Sequence, residues 1–295
     1  MPTISVVLIF LDAAPYLEEA IRSVRAQGVA DWELLLVDDG SSDGSTELAR
    51  WHAGDDPARI RYLEHAGHAN RGMSASRNLG IAHARGRLVT FLDADDVLRP
   101  EALYVLTATL EREPRAAMAY GPIEYWYSWA GREARRKDFV QRLGVPTGVL
   151  LEPPSLLVAF LRRRAAAPSG MAVRTGVLRR VGGFEESFRG MYEDQAFCTK
   201  LCLKHPVVTT SICTYRYRQH PGSSSAAADR SGEQDFGRRP FLDWLRGYLD
   251  QQGVRDGPVR DALRRELWWS EHPALSRAAR HLRRLLRKAR ARLGR

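Results

Sequence analysis

Two apolar runs in this chain end abruptly in carboxylates. WELLLVDDGSSDGS carries Asp38 and Asp39 just beyond a Leu/Val run, and RLVTFLDADD carries Asp93, Asp95 and Asp96 beyond another. Carboxylates brought to the same sheet edge repel one another unless a cation or ligand takes up their charge. Asp93-Ala94-Asp95 has a specific use, because Mg²⁺ and Mn²⁺ prefer hard oxygen ligands, usually one or two carboxylates completed by phosphate oxygens of a substrate. A D-x-D on a sharp turn can give one carboxylate to a metal and another to a ribose hydroxyl. A third acidic pair, Glu193-Asp194, opens EDQAFCTKLCLK. Acids there suit the first turn of a helix, and a carboxylate can also take a proton from a reacting hydroxyl. The helix dipole would lower the basicity of Asp194, and a neighbouring Glu193 would raise it. Asp-Gly-Ser is also a turn sequence, so Asp38 or Asp43 is expected to satisfy local backbone N–H groups, and Asp96 to act as a cap or support.

The elements that must position these groups alternate. SVVLIF (5–10), ELLLVDD, RIRYLEH (59–65) and RLVTFLD read as strands. PYLEEAIRSVRAQ, with Leu17, Ile21 and Val24 on one face, TELARWHA, MSASRNLGIAHARG and PEALYVLTATLERE read as helices. Alternation through residue 112 predicts an α/β fold with a mostly parallel central sheet flanked by helices. In such a sheet, ligands bind beyond the carboxyl ends of the strands, where the acids lie. MAYGPIEYWYSWAGRE resumes β character, residues 131–150 suggest a mobile or substrate-facing segment, and PPSLLVAFLRRR and GMAVRT read as a helix and a short strand. EDQAFCTKLCLK reads as a helix and VVTTSICTYRYRQH as one long strand. Trp126, Trp129, Tyr125 and Tyr127 could be core or an aromatic platform for a sugar. Residues 221–234 read as a linker, followed only by helical patterns.

The 295 residues carry 45 Lys+Arg against 35 Asp+Glu, a net charge of +10. Residues 274–295 alone hold nine Lys/Arg and no acid, which leaves 36 basic against 35 acidic residues in the body. A body that wraps nucleic acid is therefore disfavoured, and no specific nucleic-acid partner is expected. Leu282, Leu286, Ala289 and Leu293 form an apolar stripe opposite the tail's arginines, which suits a helix lying on an anionic membrane or a solvated terminal helix. No apolar run is long enough to span a bilayer, and the N-terminus lacks the marks of a signal peptide. Cys198, Cys202 and Cys213 cannot make a disulfide framework, so a reducing cytoplasmic setting is expected. Cys198 and Cys202 are expected to be buried thiols, and His52, His65, His68 and His83 structural.

The segments SVVLIFLDAAPYLEEAIRSVRAQ, WELLLVDDGSSDGS, GMSASRNLGIAHARGRLVTFLDADD, VGGFEESF, YEDQAFCTKL and YRYRQHPGSSS, in that order, resemble family 2 inverting glycosyltransferases with the GT-A fold. The resemblance covers roughly residues 3–225. It implies a nucleotide-sugar half (1–112), an acceptor half (113–225) and a separate helical region at 226–295 ending in the basic tail. It implies that Asp39 bonds the pyrimidine base of a UDP- or dTDP-type donor, that Arg77 steadies the donor near its phosphates with Asn70 from the preceding loop, and that Asp93, followed by Ala94, faces the ribose. Asp95 would hold Mn²⁺ or Mg²⁺ on the diphosphate, His220 or Arg218 would close over it, with His220 also near the metal, and Asp194, beside Glu193, would be the catalytic base. The family's first strand commonly runs into Pro-x-Tyr-Asn; those positions here are Ile9, Phe10, Leu11 and Asp12, which leaves Phe10 and Asp12 as the donor-side candidates. Gln195 stands where the family often has Trp. The implied reaction moves a sugar to a hydroxyl of a glycan, lipid-linked or small-molecule acceptor in polysaccharide or glycoconjugate assembly, in the cytoplasm or at the inner face of the membrane. Residues 121–150 and 221–240 would choose the acceptor. A sugar-nucleotidyltransferase would want a Gly-rich loop after the first strand, where this chain has LDAAPYLEE. The remaining alternative is a non-catalytic membrane- or nucleic-acid-binding module on a degenerate transferase fold.

Overall fold

Strands buried on both faces read as near-continuous apolar runs, and three of these with one half-exposed edge strand build one side of the sheet. In the computed structural model, which describes residues 2–29, 31–134, 136–165, 168–223, 226, 238–272 and 275, these are β1 (Ile4–Phe10), β2 (Trp32–Asp38), β3 (Ile60–Glu64) and β4 (Leu88–Asp93). They pair in parallel in the order β3-β2-β1-β4. The connections are helices α1 (Ala14–Arg25), α2 (Ser45–Asp55) and α3 (Met73–His83), as the alternation predicts, and α4 (Ala102–Arg112) follows β4. Pro15 sits in the first turn of α1, where its missing N–H costs nothing, and Arg22 and Arg25 lie in the last turn, where they suit the dipole. Ile4, Val6, Leu8 and Phe10 share one face of β1 and join Leu17, Ile21 and Val24 of α1 and Leu103, Leu106 and Leu110 of α4 in one core cluster.

The opposite face of β1 carries α3 at very close range. A methyl at Gly80 would lie 2.3 Å from Cγ1 of Val7. Gly80→Ala is therefore expected to destabilise the chain by about 1–3 kcal/mol through overpacking. A lowered urea midpoint with an unchanged m-value would report it.

Beyond β4 the sheet turns mixed. Its remaining strands are β6 (Met118–Tyr120), β9 (Leu150–Leu151), β10 (Met171–Arg174) and β11 (Val207–Thr209), in the order β4-β10-β6-β11-β9. β10 is antiparallel to β4 and β6, and β9 is antiparallel to β11. A second sheet contains β5 (Val97–Leu98), β7 (Ile123–Trp126), β8 (Phe139–Val140) and β12 (Tyr215–Arg218), in the order β5-β12-β7-β8. The stretch VVTTSICTYRYRQH is thus two strands, not one: β11 belongs to the large sheet and β12 to the small one. The neighbouring stretch breaks in step, since β6 pairs β11 in parallel and, past Gly121-Pro122, β7 pairs β12 in parallel. The corner is tight, with a Cβ at Gly121 placed only 2.5 Å from the carbonyl oxygen of Ile212. Three further helices are α5 (Ser155–Leu161), α6 (Thr175–Arg180) and α7 (Glu193–Cys202).

The chain separates into two compact units, Met1–Glu233 and Gln234–Arg295. The second contains α8 (Arg238–Gln251) and α9 (Pro258–Glu271), which bury Phe241, Leu242, Leu245 and Leu249, and Val259, Ala262 and Leu263, respectively. Apart from Leu275, the basic tail at 274–295 lies outside the described residues, as does most of the linker at 221–234. Among the described residues no helix is long and apolar enough to cross a membrane.

Candidate active site

The parallel register sets Phe10 beside Asp38 and Ile9 beside Asp93, so the acidic ends of β2 and β4 lie on either side of the end of β1. Their carboxylates have different work. Asp38 is fully buried and builds the turn: Oδ1 accepts the N–H groups of Gly40 and Ser41 at 3.1 and 2.8 Å, and Oδ2 accepts the hydroxyls of Thr46 and Tyr62 at 2.6 and 3.1 Å. Asp43 accepts the N–H of Ser45 at 3.1 Å and that of Ala14 at 3.0 Å. Asp12, held at a φ of 47°, accepts the N–H of Ser42 at 2.7 Å, which ties the end of β1 to the loop after β2.

Asp39 reaches across to the loop before α3. Its Oδ1 accepts the N–H of Arg71 at 2.8 Å and the Ser76 hydroxyl at 3.0 Å, and Oδ2 accepts the N–H of Gly72 at 2.9 Å. Asn70 lies in this loop, and its carbonyl and side-chain oxygens accept from Nη2 of Arg189 at 3.2 and 3.3 Å. Phe10 and Ala94, 3% and 6% exposed, belong to the core cluster, so their side chains are not offered to a ligand. What Phe10 contributes is its carbonyl, which accepts the N–H of Asp39 at 2.9 Å.

Arg77 is held by two carboxylates of the chain itself. It is buried on α3; Nη2 donates to Asp93 Oδ1 at 2.7 Å, Nη1 donates to Glu193 Oε1 at 3.4 Å, and the guanidinium lies 5.2 Å from the centre of the Phe184 ring. These bonds draw the end of β4 and the start of α7 into one site. Burial, then the charge of neighbouring Asp194, raises the Glu193 carboxyl to about 7. Asp194 accepts the N–H of Gln195 at 2.7 Å, yet burial still raises its pKa. Desolvation therefore outweighs the backbone hydrogen bonds and the charge of Arg77, which act the other way, in setting the basicity of this pair.

A third group comes from β12. Nε2 of His220 lies 3.0 Å from Asp95 Oδ2. Arg218 donates from Nε to the Asp95 carbonyl and from Nη2 to Glu19 Oε2, both at 2.6 Å. Its guanidinium sits 4.5, 5.0 and 5.2 Å from the ring centres of Trp126, Trp129 and Tyr16. Trp126 and Trp129 thus form walls around a buried cation. Asp96 is a support: it accepts the Tyr215 hydroxyl and the Arg218 N–H, each at 2.7 Å, and burial raises its pKa well above the ordinary range. Tyr16 and Glu19, which join this group from one face of α1, escaped the sequence reading; their i,i+3 spacing was the available signal. Cys198 and Cys202 are buried thiols, and burial pushes Cys202 up to about 12.

Among the described residues, no three His, Cys, Asp or Glu side chains gather as a preformed metal cage. Asp95 with His220 is a smaller donor set, a hard carboxylate beside an imidazole. It fits a Mn²⁺ or Mg²⁺ site that draws its remaining ligands from substrate oxygens and water.

The fold and this arrangement define a class, and comparison with known proteins identifies it. The model of Glycosyl transferase family 2 matches residues 5–166, more than half the chain. The chain therefore belongs to glycosyl transferase family 2. It is 38% identical over 112 residues to the uncharacterized glycosyltransferase EpsJ of Bacillus subtilis, an alignment covering 38% of this chain and 31% of that one. The chain spans less than half the length of the curated relatives it matches. Two solved structures share its GT-A fold. S. aureus TarS 1-349 in complex with UDP-GlcNAc has a TM-score of 0.60 at 19% identity, over 77% of this chain and 61% of that one. The mannosyltransferase PcManGT from Pyrobaculum calidifontis, in complex with GDP-Man and Mn2+, has a TM-score of 0.61 at 18% identity, over 94% of this chain and 74% of that one.

Proposed function

We propose that this chain is an inverting glycosyltransferase that moves a sugar from a UDP- or dTDP-type nucleotide sugar to an acceptor hydroxyl, with Asp194 as general base. The observation that carries this reading is the bridge made by Arg77. One buried guanidinium bonds Asp93, at the strand end suited to the donor, and Glu193, the neighbour of the base. Family membership and nucleotide-sugar complexes of fold neighbours support the same reading.

Asp39 and the 70–72 loop receive the base of the nucleotide, exchanging one of the bonds that Asp39 now makes to backbone N–H groups. Asn70 flanks that loop, Asp12 fixes the adjoining strand end, Phe10 and Ala94 form the wall behind it, and Asp93 faces the ribose. Asp95 and His220 would hold Mn²⁺ or Mg²⁺, which supplies neutralisation of the charge developing on the leaving diphosphate. Arg218, fixed to the Asp95 carbonyl, holds that turn in place. On the far side of the sugar, Asp194 takes the acceptor's proton as the new bond to the anomeric carbon forms and the bond to the diphosphate oxygen breaks. Attack opposite the leaving group inverts the anomeric centre, with no glycosyl-enzyme bond. Release of nucleoside diphosphate from a panel of UDP- and dTDP-sugars in Mn²⁺ tests the assignment; no release from any of them would remove it.

The raised acid pair gives the reaction a pH dependence. The base must be ionised, so kcat/KM is expected to fall on the acid side, and burial, which raises the Asp194 carboxyl, places that fall at higher pH than for an ordinary aspartate. Glu193→Gln removes a like charge beside Asp194 and is expected to move that acid limb to lower pH. The linkage to stability has the opposite sense. Between 4.5, the ordinary value for Glu, and about 7, the folded chain binds more protons at Glu193 than the unfolded chain. The stabilisation from this group is complete below 4.5 and is lost as pH rises through about 7. A pH–rate profile and a pH series of urea midpoints check the two limbs.

The acceptor is a hydroxyl of a glycan, a lipid-linked saccharide or a small molecule in polysaccharide or glycoconjugate assembly. Nine Lys/Arg in residues 274–295, with no acid, suit a tail that lies on an anionic cytoplasmic leaflet. Flotation with phosphatidylglycerol-containing vesicles is expected to recover the full chain and lose a form truncated before residue 274. Equal recovery of both forms would contradict the tail's role.

A further inference from the structure

The acid pair at the start of α7 is carried by a stretch without regular structure, since residues 181–192 form neither helix nor strand. Something outside the stretch must fix it if Asp194 is to stand at a defined distance from the donor. α3 supplies the contacts. The Asn78 side chain bonds both backbone groups of Phe184: Oδ1 accepts its N–H at 2.8 Å, and Nδ2 donates to its carbonyl at 3.0 Å. Nδ2 also donates to Glu186 Oε1 at 2.9 Å. One turn earlier, the Ser74 hydroxyl donates to the Phe188 carbonyl at 3.1 Å. The fit around Asn78 is close. Gly183 has a φ of +56°, and a Cβ there would fall 2.3 Å from Asn78 Oδ1.

Phe184 passes this constraint on. Its ring stacks on Phe197 of α7 with centroids 4.4 Å apart and planes 15° apart, while Arg77, next to Asn78 in sequence, covers the ring and bonds Glu193. A continuous path therefore runs from Asn78 through the Phe184 backbone and ring to the body of α7.

We propose that Asn78 is a positioning residue for the reaction: by clamping Phe184 it sets the place of α7 and hence of Asp194. It touches no reacting atom. The inference rests on Asp194 being the base. A misplacement of about 1 Å between base and hydroxyl is enough to cost on the order of 10²-fold in rate.

The test compares Asn78→Ala and Asp194→Asn with the unaltered full chain. It measures turnover of UDP- and dTDP-sugars, the KM for the donor, UDP affinity in Mn²⁺ by calorimetry, and hydrogen exchange of residues 184–195. Asn78→Ala is expected to lower kcat by about 10- to 100-fold, leave donor KM and UDP affinity unchanged, and speed exchange in 184–195. Asn78→Asp combined with Glu186→Gln keeps the acceptor for the Phe184 N–H and avoids a like-charge pair. It is expected to recover part of the turnover, and it keeps the test open if the alanine variant fails to fold. Unaltered kcat in Asn78→Ala would overturn the inference. So would a parallel loss of kcat and UDP affinity, or unchanged exchange in 184–195 despite lost turnover. If Asp194→Asn turns over normally, the base assignment itself fails. If Asp194→Asn is inactive and Asn78→Ala is normal, only the role of Asn78 fails.

Discussion

Replacement of Asp194 by Asn is expected to lower turnover by about 10²–10⁴-fold, the usual contribution of a general base. The amide keeps the size of the carboxylate and an oxygen that can accept the Gln195 N–H, now bonded at 2.7 Å. The first turn of α7 should therefore persist, and calorimetry with UDP and Mn²⁺ should show undiminished binding. The loss belongs in kcat, because the proton is taken only as the glycosidic bond forms. Turnover at the unaltered rate would remove Asp194 from the chemistry. Lost nucleotide binding would mean that the residue supports the donor half instead.

The second large effect is on stability. Arg77→Met removes a buried cation and leaves Glu193, with a side chain 12% exposed, without its partner. Breaking a buried pair costs about 3–5 kcal/mol when the remaining charge stays uncompensated. Two features place the expected loss near the lower end of that range. Asp93 is 43% exposed at its side chain, so water screens much of its loss. Glu193 can also take up a proton, since its carboxyl is already raised to about 7. The destabilisation should therefore shrink as pH falls toward about 7, below which a neutral Glu193 no longer needs a cation. Urea unfolding at several pH values checks both size and trend. A deficit independent of pH would mean that the packing of Arg77 on Phe184 matters more than its charge.

Particular residues account for what could and could not be read from the sequence. The parallel strands β1, β2 and β4 were legible because burial on both faces demands contiguous apolar runs, and the half-exposed edge strand β3 because it falls in the alternation of strands and helices. VVTTSICTYRYRQH defeated the same reasoning. Its β-forming residues continue without a break, while the backbone changes sheet at a corner made possible by Gly121, ninety residues earlier in the chain. Phe10 was legible in retrospect. Ile4, Val6, Leu8 and Phe10 alternate, and the first three point into the core, so the parity of β1 already directs Phe10 inward.

The strand-end acids stood out because two buried strands that both end in acids bring several carboxylates to one end of the sheet, where ligands bind. Which of them holds a turn and which faces a ligand depends on partners far away. Asp38 is satisfied by its own loop, with Thr46 and Tyr62, whereas the exposed face of Asp93 is balanced by Arg77. Arg77 itself could be placed on α3, yet its partners come from positions 93 and 193 and follow only from the packed sheet. The bond of Asn78 to Phe184 is of the same kind. Neither residue carries a local signal of its purpose, because the purpose is a distance set by tertiary structure.

The central claim is tested most directly by the configuration of the released sugar. Proton NMR during hydrolysis of α-linked UDP- and dTDP-sugars in Mn²⁺ distinguishes the first-formed anomer from its slower mutarotation product. Inverting attack assisted by Asp194 predicts that the β-anomer appears first with the unaltered chain and that its rate collapses in Asp194→Asn. First appearance of the α-anomer, or β-anomer at full rate from Asp194→Asn, would contradict it.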